Sequence, residues 1–476
     1  MEKKGGHGYR GFGSFHSDNV EDLIRQPEES YAPPELPIRW DDLLPGLGTD
    51  LPSFGHEMRD AHFLLDRDWT FINHGAPLRI AVEVGNRWRL HNARQPLRFV
   101  DRQLFQLIVW ALRQLAAEVK AAPDEVAFVP NATTGLNTVI KSIHLNAGDE
   151  VYMLNIGYGS VKKMLAYQCE QAGAHVREGE ITFPLAGPND ILEVVSNTLR
   201  PNTRLAIFDH ITSNTGLVMP IEDLIELCHS RGVPVFIDGA HGLGSLPLDL
   251  RALGADFYVG NCHKWFCCTP GCAFLYVRNT HSDGPALRLD VVEKIAKEAD
   301  DEGHEERKTN DASHVVHPLV ISHGFGEGFT SNFIWSGYHD YSSVLTFPAV
   351  LALWKRIGLE RVWSYNIGLL HQAVDLLRSR WDASLVAPME MHRTMALVSV
   401  PDGVVASGKP TEASSTDAKI LQDTLHYRYM IEVPVKCVQG RLYVRLSAHL
   451  YNQLSDYERL ADAMHRIALH GFPSWE

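Results

Sequence analysis

Between about residue 65 and residue 280, short apolar runs alternate with stretches of helical period, and this alternation constrains the fold more than any other feature of the sequence. DEVAFVP, EVYML, LAIFDHI, VPVFIDGAHG, ADFYVGNCH and GCAFLYV have strand length and no regular polar face, as strands buried on both sides do. A helix opening at Thr134, another around 160–173 and PIEDLIELCHSRG supply the crossovers between them. A β–α–β series of this kind predicts an α/β fold with a mostly parallel sheet sandwiched by helices. Such sheets bind ligands outside the carboxyl ends of their strands, so the residues that follow each apolar run are the first candidates for chemistry.

The 476 residues exceed what one hydrophobic core usually organises, and the pattern divides accordingly. Residues 1–60 are Pro-punctuated and lack a clear period. They are expected to form a partly flexible arm whose distal part packs on a partner surface. The extreme N-terminus is Gly-rich and polar, without the apolar centre of a signal peptide. Residues 61–335 read as the large domain, with a charged, weakly patterned surface insertion at about 281–313, and 336–476 as a smaller α+β domain.

A net charge of −14 argues against a nucleic-acid partner, which would need concentrated Lys and Arg. No apolar run approaches the ~20 residues of a membrane span. Four of the seven cysteines, Cys262, Cys267, Cys268 and Cys272, fall in GNCHKWFCCTPGCAFLYV. The segment has no C-x-x-C pair followed by a second pair, so it reads as a buried turn and strand, with no metal site. Free buried thiols point to a reducing, cytoplasmic setting.

The chemistry gathers at two strand ends. Asp238 closes VFID and Lys264 follows ADFYVGNCH, 26 residues later. Singly, Asp238 reads equally as a turn residue and Lys264 as a surface ammonium. Together they suit a pyridine-aldehyde cofactor, the carboxylate facing a ring nitrogen and the amine forming a Schiff base. VPNATTGLN ends a strand and opens a helix, where Thr133 and Thr134 can hold a phosphate. Tyr158 can cover one ring face, and Ala240 is small enough for the other. Asn214 can donate to the ring phenolate, or serve as a turn residue. His241 lies beside this set and His263 can reach the phosphate. Arg445, on a small-domain strand, is suited to a bidentate grip on a substrate carboxylate, against the plainer reading of a surface ion pair. Arg94 and Arg98 either line the substrate mouth or simply end a solvated helix.

NHGAPLRI, NATTGLN, IDGAHGLG, NCHKW, LVISHGFG, WSGYHDYS and RLSAHLYN together resemble the class V aminotransferase-like branch of fold type I pyridoxal-phosphate enzymes. Within it the chain is most similar to the isopenicillin N epimerase-like group, which includes hercynylcysteine sulfoxide lyases and cysteine desulfhydrases. The resemblance implies pyridoxal 5′-phosphate on Lys264, Asp238 on its ring nitrogen, Arg445 on the substrate carboxylate and a homodimer. It also implies a phosphate contact from the neighbouring subunit at a threonine that is Tyr338 here, leaving Ser336 or Tyr338 to supply a different one. Cys437, in EVPVKCVQGRLYV, reads as structural, because a strand cannot swing a thiolate to a substrate. The expected activity is β-elimination at carbon–sulfur, with Lys264 as base and Tyr158 as stacking ring and acid. Epimerisation and transamination remain the alternatives. A homologue that kept the fold and lost catalysis would be expected to lack the Asp238–His241–Lys264 set.

Overall fold

The computed structural model describes residues 20–45, 51–278 and 316–472. The 281–313 insertion and the first 19 residues lie outside the described residues.

Strand β1 (Thr70–Phe71) comes first and belongs to the C-terminal part of the molecule. The large sheet is built from β2 (Val126–Val129), β3 (Glu150–Leu154), β4 (His175–Gly179), β5 (Thr203–Asp209), β6 (Val235–Gly239), β7 (Phe257–Asn261) and β8 (Ala273–Val277). Their order is β2-β8-β7-β6-β5-β3-β4. β8 runs antiparallel to both neighbours and the other pairings are parallel. Every residue of β3, β6, β7 and β8 is buried, which is why their sequences show no polar alternation. The expected helix-covered α/β sheet is therefore present, and each predicted strand falls on its apolar run, β5 beginning two residues before LAIFDHI.

Two close approaches set the geometry of the strand ends. The helix Ala132–Ser142 carries Gly135 where a Cβ would meet Val259 Cγ2 of β7 at 2.6 Å, so the helix N-terminus sits directly on the strand that leads to Lys264. Gly244, at φ +87°, lies where a Cβ would come within 2.6 Å of the Trp265 carbonyl carbon. A side chain at either position would push these segments apart.

A second core gathers around β9 (Met395–Ser399), β10 (Ile431–Glu432), β11 (Val435–Val438) and β12 (Arg441–Ser447), with the helices Leu359–Trp381, Ser415–Tyr429 and Leu454–His470. β11, β12 and β9 form an antiparallel sheet, and β10 pairs in parallel with β1. The β1–β10 pairing draws Ile72 into this core and places Asn73 and His74 where the two parts of the molecule meet.

The described part of the arm contains a short helix against the main core. Residues Val20–Arg25 form a helix whose Val20 and Ile24 are 2% and 1% exposed within the main core. Buried Arg113 donates to the carbonyls of Ile24 at 2.9 Å and Gln26 at 2.8 Å. From residue 20 to 45 the arm packs against its own chain. Six residues are too few to hold a helix alone or to show a period, so the order comes from tertiary contacts.

Candidate active site

Asp209 ends β5 and Asp238 lies in β6, and the two are register partners on adjacent parallel strands. Both line a cavity of about 210 Å³ with Thr133, Tyr158, His263 and Lys264. Ser213, Ala240, His241 and Asn261 line it too. Asp238 accepts from the Ala240 N–H at 3.0 Å. Burial pushes both carboxyls above their ordinary range, and Asp238 adds to the effect on Asp209. Lys264 offsets it for both, so two buried acids share one nearby ammonium.

The lysine itself is held ready to lose its proton. Burial pushes its amine down to about 8, against the raising influence of Asp238. His241 Nε2 lies 3.0 Å from Lys264 Nζ, and His241 Nδ1 accepts from the Trp265 indole N–H at 3.2 Å. An indole N–H only donates, so the neutral imidazole must carry its proton on Nε2 and point it at the lysine nitrogen. Burial, with Lys264 adding to it, holds the His241 imidazole well below its ordinary range. The neutral amine is the form of Lys264 that can accept this bond, and it is also the nucleophilic form.

At the helix N-terminus, Asn131 caps by accepting from the Thr134 N–H at 2.8 Å and the Thr134 hydroxyl at 3.1 Å, and Asn261 accepts from the Ala132 N–H at 2.9 Å. Thr133 remains exposed to the cavity, with no hydrogen bond from its N–H or hydroxyl to the described residues. Such a helix end suits a phosphate. His263 Nδ1 lies 2.9 Å from the Cys272 carbonyl and must donate to it. Its Nε2 can therefore donate to an anion only when the ring is doubly protonated.

Arg445, 7% exposed, donates to the Ser213 carbonyl at 2.6 Å and to Asn73 Oδ1 at 3.0 Å, and its buried Nε has no hydrogen-bond partner among the described residues. Next to Asn73, His74 stacks on Trp265 at 4.6 Å and meets Ser447 Oγ at 3.1 Å. A carboxylate would satisfy the orphaned guanidinium edge.

The donor set fits pyridoxal 5′-phosphate. It offers an amine kept from full protonation, paired buried acids that lack a second cation among the described residues, and an open helix N-terminus, all on one cavity. Thr133, Tyr158, Asp238, Ala240, His241, His263 and Lys264 meet there. The other candidates do not. Thr134 is turned by its cap toward a separate apolar cavity beside Thr138 and Tyr341. Asn214 lines a different cavity with Lys436, and its neighbour Ser213 takes the place at the lysine. Tyr338 is 64% exposed and accepts from Asn92 Nδ2 at 3.1 Å, while Ser336 Oγ pairs with His339 at 3.2 Å. Arg94 and Arg98 are exposed at helix ends and line neither cavity. Cys437 Sγ contacts the Ala413 carbonyl at 3.1 Å from its place in β11. Among the described residues no group of three His, Cys, Asp or Glu is placed to hold a metal.

Asp209, Ser213 and Asn261 also line the site, and Trp265, Asn73 and His74 adjoin it, although none stands out as a candidate in the sequence. Asp209 closes LAIFD just as Asp238 closes VFID, which was a readable parallel. Asn73, His74 and Trp265 lie in NHGAPLRI and NCHKW, segments that carry the family resemblance, but no local pattern assigns them a role.

Residues 100–285 match the class V aminotransferase family. The chain is 31% identical over 436 residues to a probable chloroplastic L-cysteine desulfhydrase of Arabidopsis thaliana, covering 86% of this chain and 84% of that protein. It is 28% identical to the isopenicillin N epimerase of Amycolatopsis lactamdurans, over 80% of this chain and 90% of the relative. In fold it matches the cystine C–S lyase C-DES, with a TM-score of 0.65 at 19% identity over 84% of this chain and 97% of that one. The cysteine desulfurase CsdA of Escherichia coli matches with a TM-score of 0.62 at 17% identity, over 87% and 98% of the two chains. The chain therefore belongs to the class V aminotransferase family of pyridoxal-phosphate-dependent enzymes.

Proposed function

We propose that this protein is a carbon–sulfur β-lyase acting on a cysteine-derived amino acid. One observation carries the reading. A buried amine, Lys264, pushed down to about 8, lies beside the His241 imidazole in the same pocket as two buried acids, and the desulfhydrase relatives match over four-fifths of the chain.

Pyridoxal 5′-phosphate, when bound, supplies an electron sink for charge left on the substrate α-carbon. Thr133 and its helix N-terminus would hold the phosphate, Asp238 would keep a proton at the ring nitrogen, and Ala240 and Tyr158 would enclose the ring. Arg445 orients the substrate through its carboxylate. Lys264 removes the α-proton as general base, and the His241 Nε2–H keeps its nitrogen in place. Tyr158, 38% exposed at the cavity mouth, is the proton donor to the departing sulfur.

The working unit in this reading is a homodimer, supported by the exposed apolar side chains of Val320, Ile321 and Phe325, 52%, 57% and 47% exposed. A cytoplasmic setting is supported by seven free thiols. Among the described residues no helix is long and apolar enough to cross a membrane.

Incubation with L-cysteine and its S-conjugates should release pyruvate and ammonia in equal amounts. Deuterium entering the α-carbon from solvent without pyruvate would instead mark an epimerase, and dependence on a 2-oxo acid would mark a transaminase.

A further inference from the structure

A second cavity, of about 390 Å³, opens on the far side of the Ser213–Asn214 pair. Its wall includes Asn214, Ser415, Lys419, Gln422, Lys436 and Cys437. Among the described residues the charged side chains on it are Lys419 and Lys436, and no acid lines it. Lys419 already bonds Asp423 at 2.6 Å on the exposed helix surface. Lys436 is half-buried and makes no hydrogen bond or ion pair with any described residue.

The register explains why Lys436 points there. It pairs with Tyr443, and Pro434 accepts from the Arg445 N–H at 2.8 Å, so Lys436, Tyr443 and Arg445 share one face of the small sheet. Leu442, Val444 and Leu446 face the core on the other side. Arg445 donates to the Ser213 carbonyl at 2.6 Å, and Ser213 and its neighbour Asn214 line the lysine cavity and this one respectively. A half-buried ammonium without a partner costs free energy that an incoming anion would recover.

We propose that this cavity is a subsite for a carboxylate at the far end of the substrate side chain, with Lys436 as its counter-ion. The inference rests on the lyase reading and sharpens it: the preferred substrates are S-conjugates of cysteine that carry an anionic tail, ahead of L-cysteine itself.

The test compares S-(2-carboxyethyl)-L-cysteine with its neutral, isosteric amide, S-(2-carbamoylethyl)-L-cysteine, on the holoenzyme. The carboxylate should be favoured in kcat/KM by about 10- to 100-fold, a charge-assisted bond being the difference between the two. Lys436→Gln should erase that preference while leaving turnover of the amide unchanged, and Lys436→Arg should keep it. Absence of a preference in the wild type, or its survival in Lys436→Gln, overturns the proposal. Calorimetric binding of the same pair separates the two claims. If neither conjugate yields pyruvate but the affinity difference still depends on Lys436, the lyase reading fails and the subsite stands. If propionate alone binds with the affinity of the conjugate in a Lys436-dependent way, the cavity is a general anion site and the substrate assignment fails.

Discussion

Lys264 is the group whose behaviour departs most from its ordinary chemistry, and the departure has a measurable consequence. An amine at its ordinary value of 10.5 would be neutral in about one molecule in three thousand at pH 7, whereas one pushed down to about 8 is neutral in about a tenth of them. Capture of pyridoxal 5′-phosphate by the cofactor-free protein should be faster by roughly 300-fold at pH 7 than an unperturbed lysine allows. Its rate should rise about tenfold per pH unit from pH 6 and level off just above pH 8. The direction of one perturbation follows from the same environment. Asp238 raises the lysine value, so Asp238→Asn should move the inflection below 8 even as cofactor affinity falls with the loss of the ring-nitrogen partner. Stopped-flow absorbance across pH 6 to 10 reads both effects. An inflection near 10.5, or one that moves upward in Asp238→Asn, would refute the reasoning that burial governs this amine.

Three further outcomes are expected. Arg445→Lys keeps the charge but cannot make both bonds to Ser213 and Asn73 while also offering an edge to a substrate; steady-state kinetics should show kcat/KM lower by about 30- to 1,000-fold, mostly through KM. Trp265→Phe leaves His241 Nδ1 buried without its donor, a loss of about 1–3 kcal/mol that frees the tautomer, so kcat should fall by about 10- to 100-fold with little change in KM. Gly135→Ala places a methyl 2.6 Å from Val259 Cγ2; thermal unfolding should report a loss of about 1–3 kcal/mol, and cofactor titration a weaker complex, because the helix N-terminus is displaced from the strand end.

Much of this site could be read along the chain because its parts are strand-terminal. EVYML, VFIDG and FYVGN are uniformly buried in the fold, so their ends could be located from hydropathy alone, and Asp238 and Lys264 with them. What stayed hidden depends on relations that no local pattern encodes. Asp209 is legible as a strand-terminal acid, but that it faces Asp238 follows from β5 and β6 being neighbours in register, which only the sheet order reveals. Ser213, and not Asn214, reaches the lysine cavity because the two sit in a turn, closed by the Gly216 N–H on the Thr212 carbonyl at 2.9 Å, that sends them to different cavities. Thr134 turned away from the site when Asn131 claimed its hydroxyl as a cap. Asn73 and His74 come to Arg445 and Ser447 across more than 370 positions of sequence, through a two-residue pairing of β1 with β10 too short to be seen as a strand.

Reduction of the cofactor-loaded protein with borohydride, followed by peptide mass mapping, tests the central claim most directly. A single phosphopyridoxyl adduct is expected on the peptide that contains Lys264, and none in Lys264→Ala. An adduct on another lysine such as Lys436, or no adduct on a protein that nonetheless retains the cofactor, would contradict it.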